Sequence, residues 1–323
     1  MVQMIQEKDG IHIDLDEKFV ADSRKALGDV NIASHAHMDH AFQGEGKVVG
    51  SNLTRRLLES RLERELEISE HPDVELIDSG HILGSTAALI ESSGKKILYT
   101  GDVSTRDRAY LEGFEPVEAD ILITESTYGI PAYQLPPQEQ IENNIKAWIE
   151  ETEAPFLFGY SLGKAQKIQW LAQQVTDRPL VAHGAVMKMN KVVEKHTDLE
   201  FDALPYGENK EMLENGEGIF IGPTRFAKSD ALNELVKASN GVKAGFSGWG
   251  MTDQYKYRGG YDKVFPFSDH CGFDDLIEMV RAVDPEKVYT HHGFDSEFAS
   301  YLKREEGVNA RALKENQASL RDF

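Results

Sequence analysis

Three histidines and an aspartate crowd into "SHAHMDHA", Ser34 to Ala41, and their types suit metal chemistry. If "VNIASHAH" runs as a strand, side chains alternate faces, so His35 and His37 point to one side and Ala36 to the other. Two imidazoles then face one point. If the chain turns at Met38, Asp39 and His40 leave in a new direction and serve a second point a few ångströms away. Imidazole and carboxylate together are a ligand set suited to zinc. A plain polar loop is the competing reading, but each histidine would then need its own hydrogen-bond partners.

The remaining ligands must come from elsewhere among the 11 histidines. His81 follows an expected strand in "SGHILGS", Asp102 ends another in "LYTGDVS", and His292 ends a third in "VYTHHG". Strand ends on one sheet edge are where distant segments converge. With Asp102 bridging, His35, His37, His81 and Asp102 make one set, and Asp39, His40, Asp102 and His292 the other. Taken alone, "GHILG" or "TGD" is an ordinary turn. The expected cofactor is therefore two zinc ions. Such a pair acidifies water near neutral pH and polarises a phosphoryl oxygen.

The elements that must position these residues fall into two patterns. The first third reads as short strands with one charged helix, "LTRRLLESRLERELEI". From "PPQEQIENNIKAWIEE" onward, helices alternate with apolar strands such as "PFLFGYS" and "GIFIGPT", the signature of a mostly parallel α/β unit. Ligand-type residues lie on both sides of that stretch, so it reads as an insertion. The turn signals "QLPPQ" and "GWGMTDQYKYRGG" mark its junctions. The expected division is 1–133 with 258–323, interrupted by 134–257.

At this point the chain resembles a known family. The ordered motifs "SHAHMDH", "GHILGS", "TGDVS", "TESTYG", "SDH" and "HHG" resemble those of the metallo-β-lactamase superfamily and, more narrowly, its β-CASP branch of nucleic-acid nucleases. "ITESTYGIPAY", "GYSLGKAQK" and "AHGAVMKMN" are similar to DNA-ligase-associated exonucleases and archaeal mRNA 3′-end processing factors. The resemblance implies an α/β fold, an αββα sandwich with an inserted parallel α/β β-CASP cap. It implies the same two ligand sets and matches Glu125 and His270 to the branch's acid and histidine. Asp39, Glu125 and His270 are the catalytic candidates. His270 would be the acid for the leaving O3′ or a phosphate contact, with Glu125 orienting its ring.

Asp22, in "KFVADS", is the preferred outer residue fixing one of the first ligand imidazoles, with Asp14 competing. "GYSLGKAQ" puts Ser161, Gly163 and Lys164 at a strand-to-helix turn, where backbone N–H groups and a lysine would receive a phosphate. Arg225 and Arg258, with Lys167, Lys228 and Lys256, would add positive charge. Tyr255, Tyr257 and Trp249 are candidates for base stacking, although core packing competes for Trp249.

Composition sets the outer bounds. The 323 residues are 40% hydrophobic, enough for a large core. Cys271 is the single cysteine, which forbids an internal disulfide and fits a cytoplasmic setting. No leader-like or membrane-spanning apolar run is present. A net charge of −20, from 55 acidic against 35 basic residues, disfavours a polyanionic partner unless a groove is locally basic. The expected substrate is single-stranded RNA or DNA, left open because no added N-terminal RNA-binding region precedes the core. Expected partners are a ligase, a helicase or RNA-processing factors. A small-molecule hydrolase, such as a thioesterase or lactamase, and a metal-free scaffold are the competing functions.

Overall fold

The computed structural model describes residues 4–313. Short apolar runs broken by turns build its first sheet. The strands are β1 (Ile5–Lys8), β2 (Gly10–Asp14), β3 (Lys18–Ala21), β4 (Val30–Ile32), β5 (Lys47–Val49) and β6 (Glu67–Ser69), neighbours in that order. β1 to β3 form an antiparallel meander, while β3 to β6 pair in parallel. A parallel step needs a crossover, and helix Asn52–Leu62 supplies the one between β5 and β6. Ser51 caps that helix by accepting from the Thr54 N–H.

The second sheet begins with β7 (Val74–Asp78), β8 (Thr86–Ser92), β9 (Lys95–Tyr99) and β10 (Ile121–Ser126). Ser93 and Gly94, at φ 52° and 68°, turn β8 into β9, the left-handed pair that a tight hairpin requires. The chain then leaves for a third sheet of β11 (Pro155–Gly159), β12 (Leu180–Ala182), β13 (Leu204–Pro205), β14 (Ile219–Pro223), β15 (Val242–Phe246) and β16 (Lys263–Phe265). Its order is β13-β12-β14-β11-β15-β16 and every pairing is parallel. All five residues of β11 are buried, as a parallel strand covered on both faces should be. Leu157 packs on Ile145 and Ile168 of one helical layer, while Phe156 and Phe158 pack with Leu232 and Leu235 of another.

β17 (Lys287–Gly293) and β18 (Ala310–Ala312) return to complete the second sheet, ordered β18-β17-β10-β9-β8-β7. One core cluster joins the first two sheets, with Ile13, Phe19 and Ile32 meeting Ile90, Ile97 and Ile123. Another joins Leu89, Leu98 and Leu122 to Leu276 and Val280 of helix Phe273–Val283 and to Phe298 and Leu302 of helix Asp295–Glu305.

Two compact units result. One holds the described residues of Met1–Thr105, Phe114–Pro131 and His270–Phe323; the other holds Arg106–Gly113 and Ala132–Asp269. Turn signals place the second junction before residue 258, whereas the contacts run on to Asp269. The reason is β16, which pairs with β15 and so stays with the third sheet. Among the described residues, no helix is long and apolar enough to cross a membrane.

Candidate metal centre

The ligand-rich stretch is not a strand. β4 ends at Ile32, and residues 33–37 are irregular, tied at Ala33 to the Val49 carbonyl and at the Ser34 carbonyl to the Thr86 N–H. The same-side placement of His35 and His37 therefore arises from loop geometry and not from strand alternation. His81 lies in the loop between β7 and β8, and Asp102 just past β9. His292 is on β17 with φ 61°, a left-handed conformation that non-glycine residues adopt at a cost and that concentrates at functional positions. Ser126 Oγ holds it there by donating to the His292 carbonyl at 2.7 Å.

His35, His37, His81 and Asp102 form a closed pocket, with donor atoms within 4.8 Å of one another. The three imidazole centroids are mutually 4.9 Å apart. His81 Nε2 lies 3.2 Å from His37 Nδ1, and Asp102 Oδ2 lies 3.4 Å from His35 Nε2 and 3.6 Å from His81 Nε2. A tetrahedral zinc with bonds of ~2.0–2.1 Å sets neighbouring donors about 3.3 Å apart, so the spacing fits the ion. Two buried atoms sharpen the test. His35 Nε2 and Asp102 Oδ1 have no hydrogen-bond partner among the described residues. Buried polar atoms are rarely left so, and a cation satisfies both. Burial, helped by the neighbouring histidines, holds the His35 pKa well below its ordinary value, which keeps its lone pair available.

The second set is more open. His40 Nε2 is 3.9 Å from both Asp39 Oδ2 and Asp102 Oδ2, and its ring centroid is 6.3 Å from that of His292. Asp39 is largely exposed, with 69% side-chain accessibility. Burial opposes a charge on His40, but Asp102, Asp22 and Asp39 outweigh it and raise its pKa to about 10. Asp22 meets one of these imidazoles, that of His40: its Oδ2 is 3.2 Å from His40 Nδ1. The same carboxylate accepts from Ser34 N–H (2.8 Å), Ser34 Oγ (2.6 Å) and the Tyr99 hydroxyl (2.7 Å). His35 Nδ1 is met by Ser34 Oγ at 2.9 Å. Asp14, the competing choice, lies at the end of β2, opposite Lys18 in the β2–β3 ladder.

Glu125, fully buried on β10, stands 2.8 Å from His270 Nδ1 and accepts from the Thr127 N–H at 2.8 Å. Burial would raise its pKa, but His270 and these hydrogen bonds dominate and lower it to about 2. Asp102, Glu125 and His270 also have donor atoms within 4.8 Å of one another. Sequence reasoning missed Ser34, Tyr99 and Thr127. Tyr99 stands 77 positions from the carboxylate it serves, and a separation of that size leaves no periodic signal.

The expected phosphate contacts divide. Arg225 and Arg258 are exposed, and Ser161 is half-buried. Lys164 is not a surface cation: it is 2% exposed, with Nζ donating to the Phe267 carbonyl and lying 2.9 Å from Asp269 Oδ1. Gly163 is buried and its N–H is already given to Gln166 Oε1 at 2.8 Å. Lys167, 0% exposed, also pairs with Asp269 at 2.6 Å. Trp249 packs edge-on against Tyr133, whereas Tyr257 is 78% exposed.

Residues 263–313 match the family described as the Zn-dependent metallo-hydrolase RNA specificity domain. The chain is 33% identical over 307 residues to a probable DNA ligase of Opitutus terrae, covering 90% of this chain and 29% of that protein. It is 30% identical over 213 residues to cleavage and polyadenylation specificity factor subunit 3 of Dictyostelium discoideum, covering 50% of this chain and 28% of that protein. An RNase J-like protein of Methanocaldococcus jannaschii is 27% identical over 343 residues, covering 82% of this chain and 81% of the relative. The chain thus spans less than a third of the first two relatives. The donor set above fits the zinc dependence named in that family's description. These likenesses agree with the resemblance to the metallo-β-lactamase superfamily and its β-CASP nuclease branch that the motifs carry.

Proposed function

We propose that this chain is a zinc-dependent nuclease that hydrolyses phosphodiester bonds of RNA or single-stranded DNA. One observation carries the reading: the closed pocket of His35, His37, His81 and Asp102 shares Asp102 with a Glu125–His270 pair at ligand-atom spacing. The first unit is then the αββα catalytic domain and the second its inserted cap, in a cytoplasmic protein. A second zinc is assigned to Asp39, His40, Asp102 and His292, supported by the carboxylates that surround His40. Bound zinc would supply Lewis acidity, polarising a phosphoryl oxygen and making water nucleophilic at neutral pH.

The chain's own residues would do the rest. Glu125 takes the Nδ1 proton of His270 as a hydrogen bond, which orients the ring and directs Nε2 to the leaving O3′. Asp22 holds His40 by Nδ1, leaving Nε2 toward the pocket. The relative named a probable DNA ligase supports DNA ends and a ligase or helicase partner. The RNase J-like relative and the RNA-specificity match support RNA and RNA-processing partners.

The test is digestion of end-labelled single-stranded RNA and DNA of one sequence, with zinc measured in the same preparations. His270→Ala is expected to lose about 10²–10⁴-fold in rate while keeping its zinc. Equal activity of the two proteins would reject the role of His270. Wild type with no tight zinc and no zinc-dependent cleavage would reject the enzyme.

A further inference from the structure

The loops that carry the pocket's histidines have little regular structure of their own, so something must hold them at ligand spacing. Helix Asn52–Leu62 touches both. At its start, Ser51 Oγ and Thr54 Oγ1 each donate to the Gly84 carbonyl, at 2.6 and 2.7 Å, in the loop of His81. In its last turn, Arg61 Nη1 donates to the Ala36 carbonyl at 2.8 Å, between His35 and His37. Arg64, just beyond the helix, donates to the Gly44 carbonyl at 2.7 Å, past the far end of the same ligand stretch.

The helix is itself fixed. Leu57 and Leu58 are fully buried, and a Cβ on Gly84 would meet Leu53 Cβ at 2.8 Å, so the His81 loop rests directly on it. Ala36 is also fully buried, so its carbonyl depends on a protein donor once water is excluded.

We infer that this helix is a brace for the metal pocket, in which Arg61 and Thr54 are positioning residues that hold the His35–His37 and His81 loops in mutual register. The inference rests on zinc occupying the pocket of His35, His37, His81 and Asp102. Neither residue touches the metal. Each acts through a backbone carbonyl beside a ligand, as outer partners of metal sites do.

Cobalt(II) serves as the probe because its visible absorption reports ligand geometry. The metal-loaded full chain is mixed with excess chelator and release is followed, alongside melting of the metal-free proteins. Arg61→Ala and Thr54→Val are expected to release cobalt about 10- to 100-fold faster than wild type and to shift its bands. Arg61→Lys should restore part of the loss, since an ammonium can donate to the same carbonyl. Arg56→Ala, on the same helix but paired with Glu59, should behave as wild type.

Wild-type release and spectra in both Arg61→Ala and Thr54→Val would overturn the brace, as would equal acceleration by Arg56→Ala. If Arg61→Ala fails to fold, Thr54→Val decides alone. Wild type that takes up neither cobalt nor zinc would overturn the metal reading and the brace with it, a failure visible before any variant is made.

Discussion

His40 sits among three carboxylates, with Asp22 at 3.2 Å and Asp39 and Asp102 at 3.9 Å, and they raise its pKa to about 10 in spite of its burial. A ligand imidazole must be neutral, so a zinc ion held by His40 would have to displace the proton that charges the ring. The sign follows: zinc affinity at His40 would rise with pH, and uptake there would release a proton. His35, held neutral by burial, releases none when the first ion binds. Zinc titration by calorimetry, in buffers of different ionisation heat between pH 7 and 9, should find about one proton released from His40 over full zinc loading. Pure carboxylate replacement of water, with no proton released, would show that His40 is neutral at the outset. The donors in this balance were legible because metal chemistry uses few residue types and crowds them at short spacing. Ser34 and Tyr99, which set the same balance through Asp22, were not legible. A serine or tyrosine becomes a partner only through three-dimensional placement.

At the scale of elements, the ends of three strands were readable, whereas the end of β4 and the path of the chain beyond it were not. Apolar runs identify β9, β10 and β17, and Asp102, Glu125 and His292 lie at or just past their ends. The strand expected through His37 stops at Ile32 because β5 pairs with β4 at the single position Ile32–Val49 and offers no longer ladder. The loop that replaces it is shaped by close approach. Gly101 has φ 56°, and a Cβ there would lie 2.7 Å from both Cβ and Oγ of Ser34. Ser34 in turn anchors Asp22 and meets His35. Gly101→Ala is therefore expected to destabilise the metal-free protein by about 1–3 kcal/mol and to weaken zinc binding as well. Urea unfolding with and without zinc measures both. Unchanged zinc affinity in a destabilised variant would confine Gly101 to a packing role.

At the scale of the whole chain, the alternation of helices and strands announced a second unit, but its buried charges could not be told from surface ones by residue type. Lys164 was read as a phosphate contact; it lies instead in a cluster with Lys167, Arg108 and Asp269, each at most 4% exposed. Burial lowers the pKa of Lys167 to about 7 and of Lys164 to about 8, with Asp269 opposing the fall in both. The lysines and Arg108 hold the Asp269 carboxyl far below the usual carboxylate range although burial works the other way. Asp269 thus faces Lys164, Lys167 and Arg108 within the second unit. Asp269→Asn keeps the shape and removes the carboxylate charge that Lys164 and Lys167 face, a loss that costs about 3–5 kcal/mol in comparable buried pairs. The lower end is expected, because each lysine sheds its proton readily once the carboxylate is gone. Each unit has its own apolar clusters, so the loss should be local. Amide hydrogen exchange measures it: β11, β14 and β15 should lose protection in Asp269→Asn while β8, β9 and β10 keep theirs. Equal protection of the third sheet in both proteins would mean that the cations are stable without Asp269, and a uniform loss across all three sheets would mean that the chain unfolds as one unit.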